Sequence, residues 1–355
     1  MTNNNNIYAK SSDLLLTVSW KDSSVMMIDQ TKLPNRLTYV KCEDYKQVAD
    51  AIKNLTIRGA PAIGVAAGLG LALAAMQSKA RTLSELMVDL EIACRVLRAT
   101  RPTAVNLFWA LERIMSKARE GGKSVMEVRK AILNEALNMS KEDIKVNKKI
   151  GANGAKLFND GDVILTHCNA GSLATVAYGT ALGVIRAAKE TGKRVSVIAT
   201  ETRPVMQGSR LTAFELQYDG IDVSLIPDTA VGHIISKRIV DRVVVGADRV
   251  LRTGHVFNKI GTYQVAIIAN RHKVPFYVAA PLSTFDFESN TEDIVIEERS
   301  IEEVVRMGRR RIAPKGIRVF NPAFDVTPPD LITGGIITEK GVLKPPFEEN
   351  VKRIR

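Results

Sequence analysis

Cysteine is scarce in this chain of 355 residues. The three that occur, Cys42, Cys94 and Cys168, form no C-x-x-C pair. An odd number of cysteines argues against a disulfide framework, and the missing pair argues against a cysteine-based zinc site. We therefore predict a protein of a reducing compartment that binds no metal.

Aromatic residues are also few, at 5% of the chain, whereas lysine and arginine exceed aspartate and glutamate by 12. Such a positive charge suits nucleic acid, an anionic membrane surface or a phosphorylated small molecule, and it does not choose among them. The basic residues are spread along the chain, apart from the run at 309–311 and the pair at 352–353, and no zinc-finger, RNA-recognition or arginine-rich pattern accompanies them. We therefore predict no nucleic-acid partner.

Long hydrophobic runs are missing as well. The one long uncharged run, residues 59–76, contains seven alanines, four glycines and only six Ile, Leu, Val or Met residues. This weak hydrophobicity favours a tightly packed buried helix over a membrane span. Residues 1–10 are rich in asparagine and lack the apolar core of a secretory signal. We therefore predict a cytoplasmic protein without a membrane partner.

Nucleotide-binding motifs are absent from the sequence. No G-x-G-x-x-G follows a predicted strand, and no Walker motif occurs. Glycines at those spacings let the backbone approach a pyrophosphate closely. We therefore predict that the protein uses no nicotinamide, flavin or nucleoside triphosphate cofactor.

The first third of the sequence predicts small or helical elements. Apolar residues recur at helical spacing over residues 45–55, and Thr82 with Glu85 has the pattern of a capping box. Further helical patterns cover residues 104–117 and the stretch from Ser124 to about residue 158. Gly121 and Gly122 interrupt the chain between them. We predict a smaller, mainly helical N-terminal domain at residues 1–122 and a catalytic domain at residues 123–355.

From residue 162 onward, short apolar runs alternate with helical segments. We predict strands at Val163–Thr166, 195–199, 223–226, Arg242–Val245 and Phe276–Ala279. Nearly continuous Val and Ile runs are typical of strands that are buried on both faces of a parallel sheet. The sequence therefore predicts an α/β fold with a doubly wound, Rossmann-like, mostly parallel sheet.

Polar residues follow each of these five predicted strands. Cys168 follows the first, Glu201 and Arg203 the second, Asp228 the third and Asp248 the fourth, while Pro281 comes after the fifth. Ligands of open parallel sheets bind beyond the carboxyl ends of the strands. We therefore expect a functional cleft along this edge.

Cys168 and Asp248 are the strongest catalytic candidates at this edge. Cys168 precedes a helix predicted to begin near Ser172, whose N–H groups would stabilise a thiolate or a phosphate; the alternative is a small buried apolar residue. Asp248 ends an apolar run, so its carboxyl would be partly desolvated, as a proton donor requires. The alternative for Asp248 is a helix cap or an ion pair with Arg249 or Arg252. His167 is predicted to be a structural histidine.

Two segments of the first third and one of the last predict anion binding. Arg58, Gly59 and Ala60 precede the small-residue helix, where glycine permits close backbone approach and arginine offers two parallel hydrogen bonds. Arg101 stands before a proline in a similar setting. Lys259, with the first N–H groups of a helix from about residue 263, could hold a phosphate. A surface or capping role stays open for Arg58 and Arg101, and the alternative for Lys259 is a solvated lysine.

Long motifs in fixed order connect these candidates to a known family. They are Asp29-Gln30 with Leu33-Pro34, Ile57-Arg-Gly-Ala-Pro-Ala-Ile-Gly64, Arg101-Pro-Thr-Ala-Val-Asn-Leu107, Leu165-Thr-His-Cys-Asn-Ala-Gly171, Glu201-Thr-Arg-Pro204 with Gln207-Gly208, Gly246-Ala-Asp-Arg249, Asn258-Lys-Ile-Gly-Thr-Tyr263 and Ala280-Pro-Leu-Ser-Thr284. Over nearly its whole length the chain resembles the S-methyl-5-thioribose-1-phosphate isomerases. Their superfamily also contains the regulatory subunits of translation initiation factor 2B.

The resemblance implies an aldose–ketose isomerase of methionine salvage that converts 5-methylthioribose 1-phosphate to 5-methylthioribulose 1-phosphate. It implies Cys168 and Asp248 as the catalytic pair. It also implies a homodimer with no metal or organic cofactor. The substrate-binding residues that it implies are Arg58, Gly59, Ala60, Arg101, Gln207, Asn258 and Lys259.

Two neighbouring groups are the alternatives. The ribose-1,5-bisphosphate isomerases share the Cys and Asp but tend to lack Arg-Gly-Ala-Pro-Ala-Ile-Gly and Cys-Asn-Ala-Gly, both of which occur here. The non-catalytic factor 2B subunits generally lack the Cys and Asp pair. Because this chain retains Cys168 and Asp248, the resemblance favours an enzyme.

Overall fold

The computed structural model describes residues 14–101 and 104–354. The asparagine-rich segment at residues 1–10 lies outside these residues. The N-terminal part contains a three-stranded antiparallel sheet followed by helices. Its elements are β1 (Val18–Lys21), β2 (Ser24–Ile28), β3 (Tyr39–Cys42), α1 (Tyr45–Lys53), α2 (Ala60–Gln77), α3 (Leu83–Arg98), α4 (Val105–Arg119) and α5 (Val125–Ala155).

The remaining elements build the part of the molecule that contains the central sheet. They are β4 (Val163–Thr166), α6 (Ala181–Glu190), β5 (Ser196–Thr200), α7 (Ala213–Tyr218), β6 (Asp222–Ile226), α8 (Val231–Ser236), β7 (Arg242–Val245), β8 (Arg249–Leu251), β9 (Val256–Lys259), α9 (Thr262–Arg271), β10 (Phe276–Ala279), β11 (Phe285–Asp286), α10 (Glu302–Val305), β12 (Arg306–Met307), β13 (Arg310–Arg311), β14 (Phe324–Thr327), β15 (Gly335–Thr338), β16 (Gly341–Leu343) and α11 (Phe347–Lys352).

Seven strands form the central sheet in the order β16-β15-β10-β7-β4-β5-β6. All neighbours are parallel except β15 and β16. The five predicted strands are β4, β5, β6, β7 and β10, which confirms the mostly parallel, doubly wound sheet. Strands β15 and β16 were not predicted, because the turn between them leaves only short apolar runs.

The two faces of this sheet explain its valine-rich strands. On β7, Val244 packs with α5 and α6, whereas Val243 and Val245 pack with α8 and α9. Successive side chains of a strand point to opposite faces, so a strand covered by helices on both sides must be apolar at every position. Burying each such side chain contributes about 1.5–3 kcal/mol.

Helix α2 is the small-residue helix predicted from residues 59–76. It is long and apolar enough to cross a membrane by length and composition alone, but 83% of that window is buried inside the protein. Fifteen of its 18 residues are buried. At Gly64 an added Cβ would lie 2.8 Å from the backbone oxygen of Asn106, so glycine is required for α4 to approach so closely. The helix belongs to the core, as predicted.

The antiparallel sheet β1–β3 adds strands to a region whose sequence predicted small or helical elements. Strands β1 and β2 pair from Val18 with Met27 to Lys21 with Ser24. Asp22 and Ser23 form the turn with φ of 48° and 55°, and turns of this kind are usually marked by Asn-Gly or Gly residues. The missing glycine explains why the hairpin was not predicted.

Helix α5 joins the two parts of the molecule. Val128, Ile132 and Met139 pack into the N-terminal core, whereas Ile150 near its end packs against the central sheet. The Thr82 capping box and the Ser124 N-cap that precede α3 and α5 both form as the sequence predicts. A domain boundary between residues 122 and 123 stays a prediction.

Candidate active site

A cavity of about 330 Å³ lies between the N-terminal helices and the carboxyl edge of the central sheet. Among the described residues, five cationic side chains and one carboxylate line it. Its walls are formed by Gln30, Thr31, Asn54, Leu55, Arg58, Gly59, Arg101, Cys168, Val205, Gln207, Arg210, Leu211, Asp248, Lys259, Arg299 and Phe324. The excess of cationic groups favours an anionic ligand.

Seven of the nine residues singled out from the sequence line this cavity. Ala60 and Asn258 line a smaller recess beside it, of about 30 Å³, which shares Arg58, Cys168 and Asp248 with the cavity. The structure therefore brings all nine residues together. Asp228 follows β6 at this edge, as expected, but it does not line the cavity and accepts hydrogen bonds from the N–H groups of residues 202 and 203.

Cys168 lies in the turn after β4 with φ at +63°. This left-handed conformation costs a non-glycine residue about 1–3 kcal/mol, so the surroundings must hold it in place. The Cys168 N–H donates to Oγ1 of Thr202 at 2.9 Å, and its carbonyl accepts from Oγ1 of Thr212 at 2.6 Å. Burial raises the pKa of the Cys168 thiol, while Arg58 and Lys259 partly oppose that rise. The thiol is therefore protonated at neutral pH.

The helix predicted to begin near Ser172 is a single 3-10 turn, Ser172–Ala174. The N–H groups of Ser172 and Leu173 donate to the carboxylate of Glu215 at 2.6 and 3.1 Å. They are therefore not directed at the Cys168 sulfur or at a ligand. The prediction of a helix terminus that stabilises a thiolate is wrong, because a distant carboxylate occupies those N–H groups.

Asp248 follows β7 and leads into β8. Its side chain is half-buried at the cavity wall, and its N–H donates to the carbonyl of Phe257 at 2.9 Å. Arg249 forms an ion pair with Asp286 at 2.7 Å, and Arg252 lies 3.5 Å from a carboxylate oxygen of Glu348. Both arginines are thus engaged by other carboxylates, and the Asp248 carboxyl faces the cavity.

Three polar side chains from separate connecting segments point toward this cavity. Arg58 donates from Nη1 to Oδ1 of Asn169 at 2.6 Å and from Nη2 to the carbonyl of Asn169 at 2.9 Å. Arg101 lies 3.5 Å from Glu297. In the part of the chain that the structure describes, Nε of Arg101 and Oε1 of Gln207 are buried without a hydrogen-bond partner. Buried polar atoms normally have partners, so a ligand would satisfy these two.

Lys259 ends β9 at the opposite wall. Its Nζ donates to the carbonyl of Ala323 at 3.0 Å and lies 4.8 Å from the ring centre of Phe324. Burial lowers the pKa of Lys259, and the nearby Cys168 and Asp248 only partly oppose that shift. A bound phosphate would stabilise the charged ammonium further.

The N-terminus of α9 differs from its prediction. The Gly261 N–H donates to Oδ2 of Asp325 at 2.7 Å, and burial raises the pKa of Asp325 to about 6. The sequence predicted that N–H groups at this helix start could hold a phosphate, but this one is already occupied by Asp325. Asn258 donates from Nδ2 to Oγ1 of Thr262 at 3.0 Å, which fixes the turn between β9 and α9.

His167 is held on both ring nitrogens. Nδ1 lies 2.6 Å from Oγ1 of Thr200, and Nε2 lies 2.9 Å from the carbonyl of Ile260. Burial lowers the pKa of His167, so the ring is neutral at pH 7. This confirms the prediction of a structural histidine.

Sequence reasoning missed two arginines of the cavity, Arg210 and Arg299. Arg210 donates from Nη2 to the carbonyl of Gln30 at 2.7 Å, and Arg299 forms ion pairs with Glu297 and Glu303 at 3.0 and 2.6 Å. Neither follows a strand of the central sheet directly. Arg210 does lie three residues after Gln207, whereas no local signal marks Arg299.

Within residues 14–101 and 104–354, no group of three or more His, Cys, Asp or Glu side chains is arranged to hold a metal ion. A sequence model of the initiation factor 2 subunit family matches residues 56–345. The chain belongs to the initiation factor 2 subunit family.

The relatives of this chain carry names of two kinds, isomerase and initiation factor subunit. The methylthioribose-1-phosphate isomerase of Fervidobacterium nodosum is 53% identical over 342 residues, which cover 96% of this chain and 97% of the relative. The solved 5-methylthioribose 1-phosphate isomerase of Pyrococcus horikoshii is 47% identical, with a TM-score of 0.90 and 98% of each chain covered. A solved structure from A. fulgidus, named as the delta subunit of translation initiation factor eIF-2B, is 52% identical with a TM-score of 0.86, covering 96% of this chain and 99% of the other.

Proposed function

We propose that this member of the family isomerises 5-methylthioribose 1-phosphate to 5-methylthioribulose 1-phosphate. The observation that carries the proposal is the cavity in which Cys168 and Asp248 face five cationic side chains. An aldose–ketose isomerase with a phosphorylated substrate requires such an arrangement of acid–base groups and cations. The near full-length relatives with this activity in their names support the same reaction.

The substrate's phosphate lies on the anomeric oxygen, so the sugar ring cannot open spontaneously and an acid must assist. In the reaction the bond between C1 and the ring oxygen breaks and that oxygen gains a proton. One hydrogen moves from C2 to C1, and the C2 hydroxyl loses its proton. Protons therefore balance, with one gained and one lost. We assign the proton donor for the ring oxygen to Asp248 and the group that acts at C2 to Cys168.

Hydrogen can move from C2 to C1 in two ways. Cys168 could remove it as a proton, or it could shift as a hydride while the cysteine stabilises the transition state. Because burial keeps the Cys168 thiol protonated, the hydride shift is favoured. We expect product made in deuterated water to carry no deuterium at C1, as measured by NMR. Solvent deuterium at C1 would instead show that a base removes the hydrogen of C2 as a proton.

The phosphate is held by Arg58 and Lys259, with Nε of Arg101 donating a further hydrogen bond, whereas Oε1 of Gln207 is an acceptor and is left to a hydroxyl group of the sugar. We expect Arg58→Ala and Lys259→Ala each to weaken binding by about 1.5–3 kcal/mol, the usual contribution of a hydrogen bond to a charged group. Steady-state kinetics should show a raised KM for both variants. Arg194→Ala, which removes an exposed arginine paired with Asp160, is the control and should leave KM unchanged.

An unchanged KM in both cavity variants would place the phosphate elsewhere. The two substitutions enter the cavity from different sides, since Arg58 precedes α2 and Lys259 ends β9. A raised KM in only one of them would show which wall binds the phosphate.

The substrate's methylthio group requires an apolar wall, and Leu55, Val205 and Leu211 are apolar side chains of the cavity lining. We expect kcat/KM for 5-methylthioribose 1-phosphate to exceed that for ribose 1,5-bisphosphate by at least about 100-fold, because a second phosphate would be desolvated against this wall. Assays of both substrates side by side measure the ratio. Preference for the bisphosphate would assign the neighbouring isomerase activity, and failure with both in a folded protein would favour a factor-like subunit.

A homodimer in the cytoplasm completes the proposal, with no organic cofactor. The homodimer rests on the resemblance of the motifs to the isomerase family, and analytical ultracentrifugation of the purified chain tests it. The cytoplasm suits the three unpaired cysteines.

A further inference from the structure

The carboxylate of Glu215 on α7 is fully buried and lies outside the cavity wall. It accepts hydrogen bonds from Nδ2 of Asn169 at 2.9 Å, the Ser172 N–H at 2.6 Å and the Leu173 N–H at 3.1 Å. Arg186 adds an ion pair at 2.7 Å. Three of these four donors belong to the segment that directly follows the candidate catalytic cysteine. Glu215 therefore holds that segment at several points.

Asn169 transmits this fixation to the cavity. Its Nδ2 faces Glu215, so its Oδ1 is left to accept from Nη1 of Arg58, and its carbonyl accepts from Nη2 of the same arginine. A carboxylate only accepts hydrogen bonds, whereas an amide has one donating and one accepting end. Glu215 thus determines which way the Asn169 amide points, and the amide determines where the Arg58 guanidinium lies.

The same contacts reach the backbone of Cys168. Oγ1 of Thr212 accepts from Nδ2 of Asn169 at 3.2 Å and donates to the Cys168 carbonyl at 2.6 Å. At Gly171 an added Cβ would overlap the Glu215 carboxylate, so the backbone is pressed directly onto it. The left-handed conformation of Cys168 persists only where its surroundings hold it at several points. The contacts of Thr212, Asn169 and Gly171 are such points.

We propose that Glu215 is a positioning residue of the active site, which acts through Asn169 to orient both Arg58 and Cys168. The purpose of that orientation rests on the proposed function, since it concerns a phosphate at Arg58 and chemistry at Cys168. The contacts themselves do not depend on which sugar phosphate binds. Glu215 touches neither cavity nor ligand, so its effect must appear in the residues that it holds.

The first test compares Glu215→Gln with Asp219→Asn. Both carboxylates pair with Arg186, but only Glu215 contacts the segment after Cys168. We expect Glu215→Gln to lower kcat/KM by about 100-fold, with KM raised and kcat lowered together, since small displacements of reacting groups have effects of this size. Asp219→Asn should stay within about threefold of the wild type, because it disturbs only the shared arginine. Equal losses in the two variants would overturn the proposal.

A second measurement needs no turnover. Iodoacetamide should alkylate Cys168 about tenfold faster in Glu215→Gln than in the wild type, because a released segment exposes the thiol and lets it ionise more readily. Peptide mass spectrometry follows each cysteine separately, and buried Cys42 is the internal control. A parallel rise at Cys42 would indicate general loosening and contradict a local role. If the wild type isomerises neither sugar phosphate, the proposed function fails while this comparison still decides the role of Glu215.

Asn169→Ala covers the case in which Glu215→Gln does not fold, because it leaves the Ser172, Leu173 and Arg186 contacts of Glu215 in place. It should reproduce the raised KM and the faster alkylation of Cys168. The double variant should lose less than the two single losses combined, since residues acting partly along one path are not additive. Wild-type kinetics and alkylation in Asn169→Ala would overturn the proposal.

Discussion

Cys168→Ala is expected to lower kcat for 5-methylthioribose 1-phosphate by at least about 100-fold, because a positioned group that stabilises the transition state supplies about 10²–10³ of rate. The side chain is small and lines the cavity without holding the cations around it, so KM should stay within roughly tenfold. Steady-state kinetics on the purified variant measure both values. Near-normal turnover would remove the thiol from the mechanism.

The other two cysteines are the matched controls. Cys42 is buried in the N-terminal core and Cys94 is half-buried on α3, and neither lines the cavity. Alanine at either position should leave kcat unchanged.

Since burial raises the pKa of Cys168, its thiolate population at pH 7 is smaller than that of a free cysteine. Iodoacetamide should therefore inactivate the wild type slowly at pH 7 and faster as the pH rises.

Cys168→Ser separates two roles of the thiol. A hydroxyl can donate a hydrogen bond but ionises far less readily than a thiol. Partial activity of the serine variant, together with loss in alanine, would fit a neutral group that stabilises the transition state. Equal loss in both variants would favour a cysteine base.

The parallel sheet could be predicted from the sequence because burial on both faces leaves a strong local pattern. Val243, Val244 and Val245 are all apolar since helices cover both sides of β7. The small sheets left no such pattern. Strands β8, β9, β11 and β14 are two to four residues long, and the pairing that stabilises them joins distant segments of the chain.

The site could be predicted where a residue's place depends on its own strand. Cys168 and Asp248 follow β4 and β7, so the rule for strand ends placed them at the same edge. The functions of helix N-termini could not be predicted in this way. The N–H group of Ser172 is occupied by a carboxylate 43 residues away, and that of Gly261 by one 64 residues away. Only tertiary packing decides whether such N–H groups are free.

The arginines of the cavity show the same limit. Arg58 was found because glycine and a buried helix follow it directly in the sequence. Arg299 lines the cavity and is held there by ion pairs with Glu297 and Glu303. Its sequence context is an ordinary run of charged residues. A charged side chain in such a run is usually solvated, so its place in the cavity depends on contacts that the sequence does not display.

Asp248→Asn is expected to lower kcat by at least about 100-fold, since asparagine cannot transfer a proton to the ring oxygen and general acids supply about 10²–10⁴ of rate. Asparagine keeps the size of the side chain, so KM should stay within roughly tenfold. Asp241→Asn is the control. Asp241 precedes β7 at its amino end, where its carboxylate accepts from the Val163 N–H at 2.8 Å. Turnover close to that of the wild type in Asp248→Asn would mean that another group opens the ring, and a large loss in Asp241→Asn would show that the assay reports damage to β7 and not acid catalysis.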